Sequence, residues 1–146
     1  ETGTQNHEGI VGAAAAVHFL GSLGSGHDHR AKLVSAMNGL HARERQLFAR
    51  IWEGLGAIKG ITRHGPPPGR PRTPTISFTI DGITPEAAAR ALAERAVFVS
   101  HGDYYALTVV ERLGLLPHGM IRAGCSCYTN DEEVKRLIAG VAAISR

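Results

Sequence analysis

The chain has 146 residues, 43% of them hydrophobic and 20% charged, with a formal net charge of +3. That length is enough to bury one substantial core, and the charge balance excludes both a disordered tail and a dedicated polyanion binder. The longest apolar stretch, Ile10 to Leu20, carries His18, is too short to span a bilayer and has no charged leader-like segment before it.

In chain order, Asn6 is placed to cap a helix over His7 to Leu23 that has almost no polar face and so needs apolar neighbours. After the break at Gly24 to Gly26, Leu33, Met37, Leu40, Leu47, Ile51, Leu55 and Ile58 recur at near-helical spacing and predict one long helix. Ile61 to Arg63 predict a short strand, Gly65 to Pro74 a loop, and the alternation of Ile76, Phe78 and Ile80 a second strand. Thr84 and Pro85 form an N-cap and first-turn pair for a helix to about Ala96, which should run into a strand over Val97 to Val99. A short helix is expected from Tyr104 to Leu113 and a last strand from Met120 to Tyr128.

Thr129 and Glu132 have capping-box spacing ahead of a closing helix that carries Val134, Leu137, Ile138, Val141 and Ile144. Short connections and strands with one polar face predict an α+β architecture. In it a small antiparallel or mixed sheet is covered by helices and preceded by the long connecting helix.

Some residues carry chemistry of their own. Thr4 and the amides around Gly3, just ahead of a helix start, make an anion cup, although ordinary capping by Thr4 or Asn6 explains the same pattern. Alternation along the last strand puts Arg122, Gly124 and Ser126 on one face and Ile121, Ala123, Cys125 and Cys127 on the other. The cysteines therefore look like core, and two of them at this spacing suit neither a disulfide nor zinc. Arg122 between small residues can offer a carboxylate a bidentate fork, or it is a solvated arginine on a sheet face.

The segment Glu1-Thr2-Gly3-Thr4-Gln5-Asn6 resembles the Glu-x-Gly-Thr-x-Asn segment of the cysteine desulfurases, a group of class V aminotransferases. Ile121-Arg122-Ala123, Tyr128, Asp131-Glu132-Glu133-Val134 and Arg136-Leu137 resemble the C-terminal end of the same family. The resemblance covers essentially the whole chain. It implies residues 1–26 as the tail of a large cofactor domain and 27–146 as the connecting helix and C-terminal small domain.

It also implies pyridoxal 5'-phosphate as cofactor, an amino-acid substrate, and a homodimer with active sites shared between subunits. From the residues themselves, the two cysteines fit a reducing, cytoplasmic compartment, no aromatics interleave with Arg63, Arg70 and Arg72 to suit nucleic acid, and no membrane partner is expected. Gly3 and Thr4 would reach the cofactor phosphate, and Arg122 would hold the substrate carboxylate.

The pattern breaks at the mobile loop, where the family carries a nucleophilic cysteine. The matching stretch is Ser100-His101-Gly102-Asp103-Tyr104-Tyr105-Ala106, with tyrosine in the cysteine's place. This leaves open another lyase, epimerase or aminotransferase reaction, with His101, Asp103 and Tyr104 as possible acid-base groups.

Lys32, Lys59 and Lys135 lie outside the family's cofactor-lysine context. The Schiff-base lysine is therefore expected upstream, the start at Glu1 reads as a truncation, and the isolated chain is expected to be inactive. The competing expectation is a non-catalytic α+β binding module that docks through Pro68-x-x-Pro71 or Pro71-x-x-Pro74, with Arg70 and Arg72 alongside. His27-Asp28-His29 hints at a metal, yet a polar turn before a helix explains it and no metal site is expected.

Overall fold

A computed structural model describes residues 3–145, so Glu1 and Thr2 of the N-terminal motif lie outside the described residues. The chain divides into two compact units between Arg43 and Glu44, a boundary that falls inside the second helix.

In the first unit, helix α1 spans His7–Ser22, and the Asn6 side chain caps it by accepting a hydrogen bond from the Gly9 amide at 2.8 Å. The cap expected at Asn6 is therefore present, and Thr4 takes no part in it. Ile10, Val11, Val17 and Phe19 of α1 are exposed. Gly24 packs against the Lys32 carbonyl and the Ala36 backbone so tightly that any side chain there would collide with the main chain. Helix α2, His29–Gly56, starts where Asp28 Oδ1 accepts from the Ala31 amide at 2.7 Å.

The second unit holds a four-stranded antiparallel sheet in the order β1-β2-β4-β3. Its strands are β1 (Ile61–His64), β2 (Thr75–Ile80), β3 (Ser100–Gly102) and β4 (Met120–Gly124). Its helices are the C-terminal half of α2, then α3 (Pro85–Ala93), α4 (Leu107–Arg112) and α5 (Asp131–Ile144).

Alternation along β2 buries Ile76, Phe78 and Ile80. They join Leu47, Phe48, Ile51 and Leu55 of α2, Ala88 and Leu92 of α3, Ile121 of β4, and Val134, Leu137 and Val141 of α5 in one core. The other sheet face carries Thr62, His64, Ser77, Thr79 and Arg122, because residues directly opposite in an antiparallel pair share a face. The α+β expectation holds: helices cover one face, and the polar face of the sheet is left for a site.

Several local expectations need correction. The third strand lies at Ser100–Gly102, not Val97–Val99. Val97 is instead buried in the core, while Ala96 adopts a positive φ of 54° that breaks the chain between α3 and the strand. The short helix begins at Leu107 rather than Tyr104, because Tyr104 and Tyr105 both turn through left-handed backbone, φ 55° and 60°. β4 stops at Gly124.

The capping box is formed by Asn130 and Glu133, one residue beyond the expected pair. Thr129 is spent in the preceding turn, where its hydroxyl accepts from the Ser126 amide at 2.9 Å.

The proline loop is tied to α2 by Arg72. Its guanidinium lies 3.7 Å from the Phe48 ring centroid and donates to the carbonyls of Pro66, Thr73 and Thr75. Arg63 does the same for β1, 4.6 Å from the Trp52 ring and 2.5 Å from its carbonyl oxygen. Stacking plus several hydrogen bonds gives Arg72 an internal role, which takes it away from any docking motif.

Candidate functional site

Arg122 stands in the middle of the polar sheet face. Its direct neighbours across the strands are Ser77 on β2 and Ser100 on β3, so no bulky side chain flanks it on either side. It is exposed and borders a cleft of about 430 Å³ lined also by Thr75, Phe98, Val99 and Gly124. Among the described residues no carboxylate pairs with its guanidinium; its recorded contact is with the Tyr104 ring, 4.2 Å from centroid to Cζ. An arginine with free edge donors at a cleft is chemically suited to a carboxylate or phosphate.

The three other residues singled out on the loop have separate fates. Tyr104 is brought against Arg122, and its one hydroxyl proton is shared between the carbonyls of Ser100 at 2.7 Å and Met120 at 2.6 Å. Burial pushes its phenol up to about 12, with the Arg122 charge and backbone amide pulling the other way. It holds its proton throughout the neutral range and both hydrogen bonds depend on that proton, which argues against acid-base duty.

Asp103 accepts from the Tyr105 amide at 2.9 Å and so serves the turn. His101 pairs with Ile121 across the strands and therefore projects on the opposite face from Arg122. Tyr105, the residue after Tyr104 in the loop, is fully exposed.

Cys125 and Cys127 lie in the turn after β4 and form no disulfide, and Cys125 packs against the core. Ser126 and Cys127 lie beyond the strand end, so the alternation inferred for them does not continue.

Gly3 and Thr4 belong to the first unit and line an open groove ahead of α1 with Gln5, Asn6, Gly9 and Ile10. With Asn6 occupied as the cap, the exposed Thr4 hydroxyl is uncommitted to the helix. This donor set fits one supplementary contact to a phosphate. It holds no lysine or arginine and carries Glu8 in the first helical turn, so it does not amount to a phosphate site by itself.

The sequence profile of the family "Aminotransferase class-V" matches residues 1–137. The chain belongs to this family. Among class-V relatives it is 33% identical over 141 residues to a probable cysteine desulfurase 2 of Mycobacterium leprae, covering 97% of this chain and 30% of that protein. It is 28% identical over 138 residues to a probable cysteine desulfurase of Pyrococcus abyssi, covering 94% of this chain and 31% of that protein.

In three dimensions it superposes on the apo cysteine desulfurase of Thermococcus onnurineus with a TM-score of 0.82 at 26% identity, covering 99% of this chain and 32% of that one. It shares the fold of an Escherichia coli cysteine desulfurase, TM-score 0.76 at 22% identity, over 98% of this chain and 31% of that one. The chain thus spans about a third of the length of the class-V proteins it matches.

The lysines of this class-V chain bear on what it can hold. Lys32 and Lys59 are exposed, and Lys135 is exposed and paired with Glu132 at 2.7 Å. None of the three lines a described cleft. His27 pairs with Asp28 at 3.1 Å, and among the described residues no group of three His, Cys, Asp or Glu is arranged to hold a metal. No described helix is long and apolar enough to cross a membrane.

The serines beside Arg122 and the exposed Phe98 on its cleft escaped the sequence reading. Only the strand register identifies the first, and Phe98 lay inside a segment taken for a strand.

Proposed function

We propose that this chain works as the C-terminal part of a pyridoxal-phosphate-dependent class-V enzyme acting on an amino acid. Residues 1–26 would then close a large cofactor domain, and 27–146 would form the connecting helix and small domain. The single observation that carries the proposal is Arg122: a guanidinium with no acidic partner among the described residues, flanked by two serines and facing a cleft.

In this reading Arg122 receives the substrate carboxylate through two parallel N–H donors and so fixes the orientation of the α-carbon. Gly3 and Thr4 add a contact to the cofactor phosphate through a backbone amide and the Thr4 hydroxyl. Bound pyridoxal phosphate supplies the electron sink that weakens bonds at the α-carbon. None of Lys32, Lys59 and Lys135 lines a described cleft, so in this reading the lysine that anchors it would come from a preceding segment.

Because the stretch from Ser100 to Ala106 carries tyrosine and no cysteine where a desulfurase loop carries its thiol, sulfur transfer through that loop is not what we propose. A lyase, epimerase or aminotransferase reaction on an amino acid fits the residues present. The family resemblance further supports a homodimer with active sites shared between subunits, and the two cysteines without a disulfide suit a reducing, cytoplasmic compartment.

The experiment is Arg122→Ala in the complete enzyme, assayed on an amino acid and on the matching amino-acid amide. Losing the charge-assisted fork should cost about 2 to 4 kcal/mol. That is roughly a thirty- to thousand-fold fall in kcat/KM for the acid, with little change for the amide. Equal effects on acid and amide, or none on either, would remove Arg122 from the site.

A further inference from the structure

Tyr104 sits in backbone that tyrosine adopts only at a cost, φ 55°, directly before a second residue in the same region. Its side chain gives the reason for that conformation. The ring folds back over the polar sheet face, and the hydroxyl is fixed to two carbonyls at once, Ser100 on β3 and Met120 on β4. The plate so anchored lies 4.2 Å beneath the Arg122 guanidinium.

Little else holds that side chain. Ser77 and Ser100 beside it are short, and no acidic group among the described residues pairs with it. An arginine has four side-chain torsions, and stacking on a fixed ring removes much of that freedom while leaving the in-plane N–H donors open.

We propose that Tyr104 is a positioning residue that sets Arg122 as a preorganised carboxylate fork, a role that rests on the carboxylate-binding assignment of Arg122 made above. Tyr104 itself touches no substrate in this scheme. The left-handed turn carries the ring over the sheet face, the hydroxyl only adds to its anchoring, and the ring fixes the guanidinium.

The test uses this chain labelled with ¹⁵N and ¹³C, with sodium acetate as the carboxylate probe and Arg122 Nε–H and δ-methylene signals as reporters. In the wild type the δ protons should be shifted upfield by the ring, and acetate should move the Nε–H signal saturably, a response absent in Arg122→Ala. Tyr104→Phe keeps the plate and should keep the upfield shift, with acetate affinity within about threefold. Tyr104→Leu should lose the shift and weaken acetate about three- to tenfold, the range expected for a partly exposed cation-π contact.

If Tyr104→Leu retains wild-type acetate affinity, Tyr104 is no positioning residue, although Arg122 still binds the anion. If acetate moves nothing at Arg122 in the wild type, the carboxylate assignment falls first and this proposal with it. Should Tyr104→Leu fail to fold, Tyr104→Phe decides. Upfield shift and affinity retained together support the proposal, and affinity retained after the shift is lost overturns it.

Discussion

Tyr104 has a consequence for stability as well as geometry. Its phenol is raised from 10.0 to about 12, chiefly by burial, and as a donor to two carbonyls it can ionise only by giving up both bonds. Below pH 10 the phenol is neutral in folded and unfolded chains alike, and its contribution is fully present. Between pH 10 and about 12 the unfolded chain loses the proton first, so stability should fall across that window. Urea unfolding at pH 9 and pH 11 should show a smaller drop for Tyr104→Phe than for wild type; an equal drop in both would assign the alkaline loss to other groups.

The place of Arg122 on the polar sheet face was legible in the sequence because alternation and small neighbours mark it, whereas the stacking of Tyr104 against it was not. Nothing in a sequence says that two consecutive residues turn left-handed and bring a ring back over a strand. His101 illustrates the converse: it is close to Tyr104 in sequence, yet strand pairing puts it on the other face from Arg122.

At the scale of elements, helices were read well wherever periodicity and capping agreed, as at Asn6 before α1 and Thr84-Pro85 before α3. The capping box of α5 was misplaced by one residue because two adjacent side chains, Thr129 and Asn130, are both good caps. The preceding turn takes the threonine hydroxyl, and that competition is invisible until the turn is known.

The observed box predicts that Asn130→Ala costs about 1 kcal/mol, since it removes the acceptor for the Glu133 amide. The urea midpoint should drop without a change in slope. Wild-type stability in Asn130→Ala would mean that the cap contributes nothing to the fold. The strand placed at Val97 to Val99 failed for a related reason: Val97 is apolar because it enters the core from a connecting segment.

At the scale of the molecule, the resemblance located the family, and the core, sheet and closing helix confirm the α+β class, while the chain's own lysines are expected to anchor no cofactor. All three are exposed, and hydrogen bonding and charge from Glu132 raise Lys135, leaving it less often unprotonated than an ordinary lysine. Pyridoxal phosphate added to this chain and fixed with borohydride should therefore label lysines sparsely and without selection. Peptide mapping that finds one lysine labelled stoichiometrically would contradict this and restore a cofactor site within the chain. The apolar helix α1, exposed along Ile10, Val11, Val17 and Phe19, is the least self-sufficient element, since so much apolar surface on one helix is unusual without a covering neighbour.

The clamp made by Arg72 also governs which enzymes can open the chain. By position, the stretch from Gly65 to Pro74 is a natural target for proteolysis, a proline-rich loop lying between strands with two arginines in it. A trypsin-like protease must draw an arginine side chain into its own specificity pocket before it can cut. Arg70 is followed by Pro71, whose ring removes the amide hydrogen and stiffens the bond to be cleaved, and Arg72 is already drawn down onto Phe48 with its donors spent on three carbonyls. The segment that looks most vulnerable in the sequence is, in the folded chain, closed at both of its arginines.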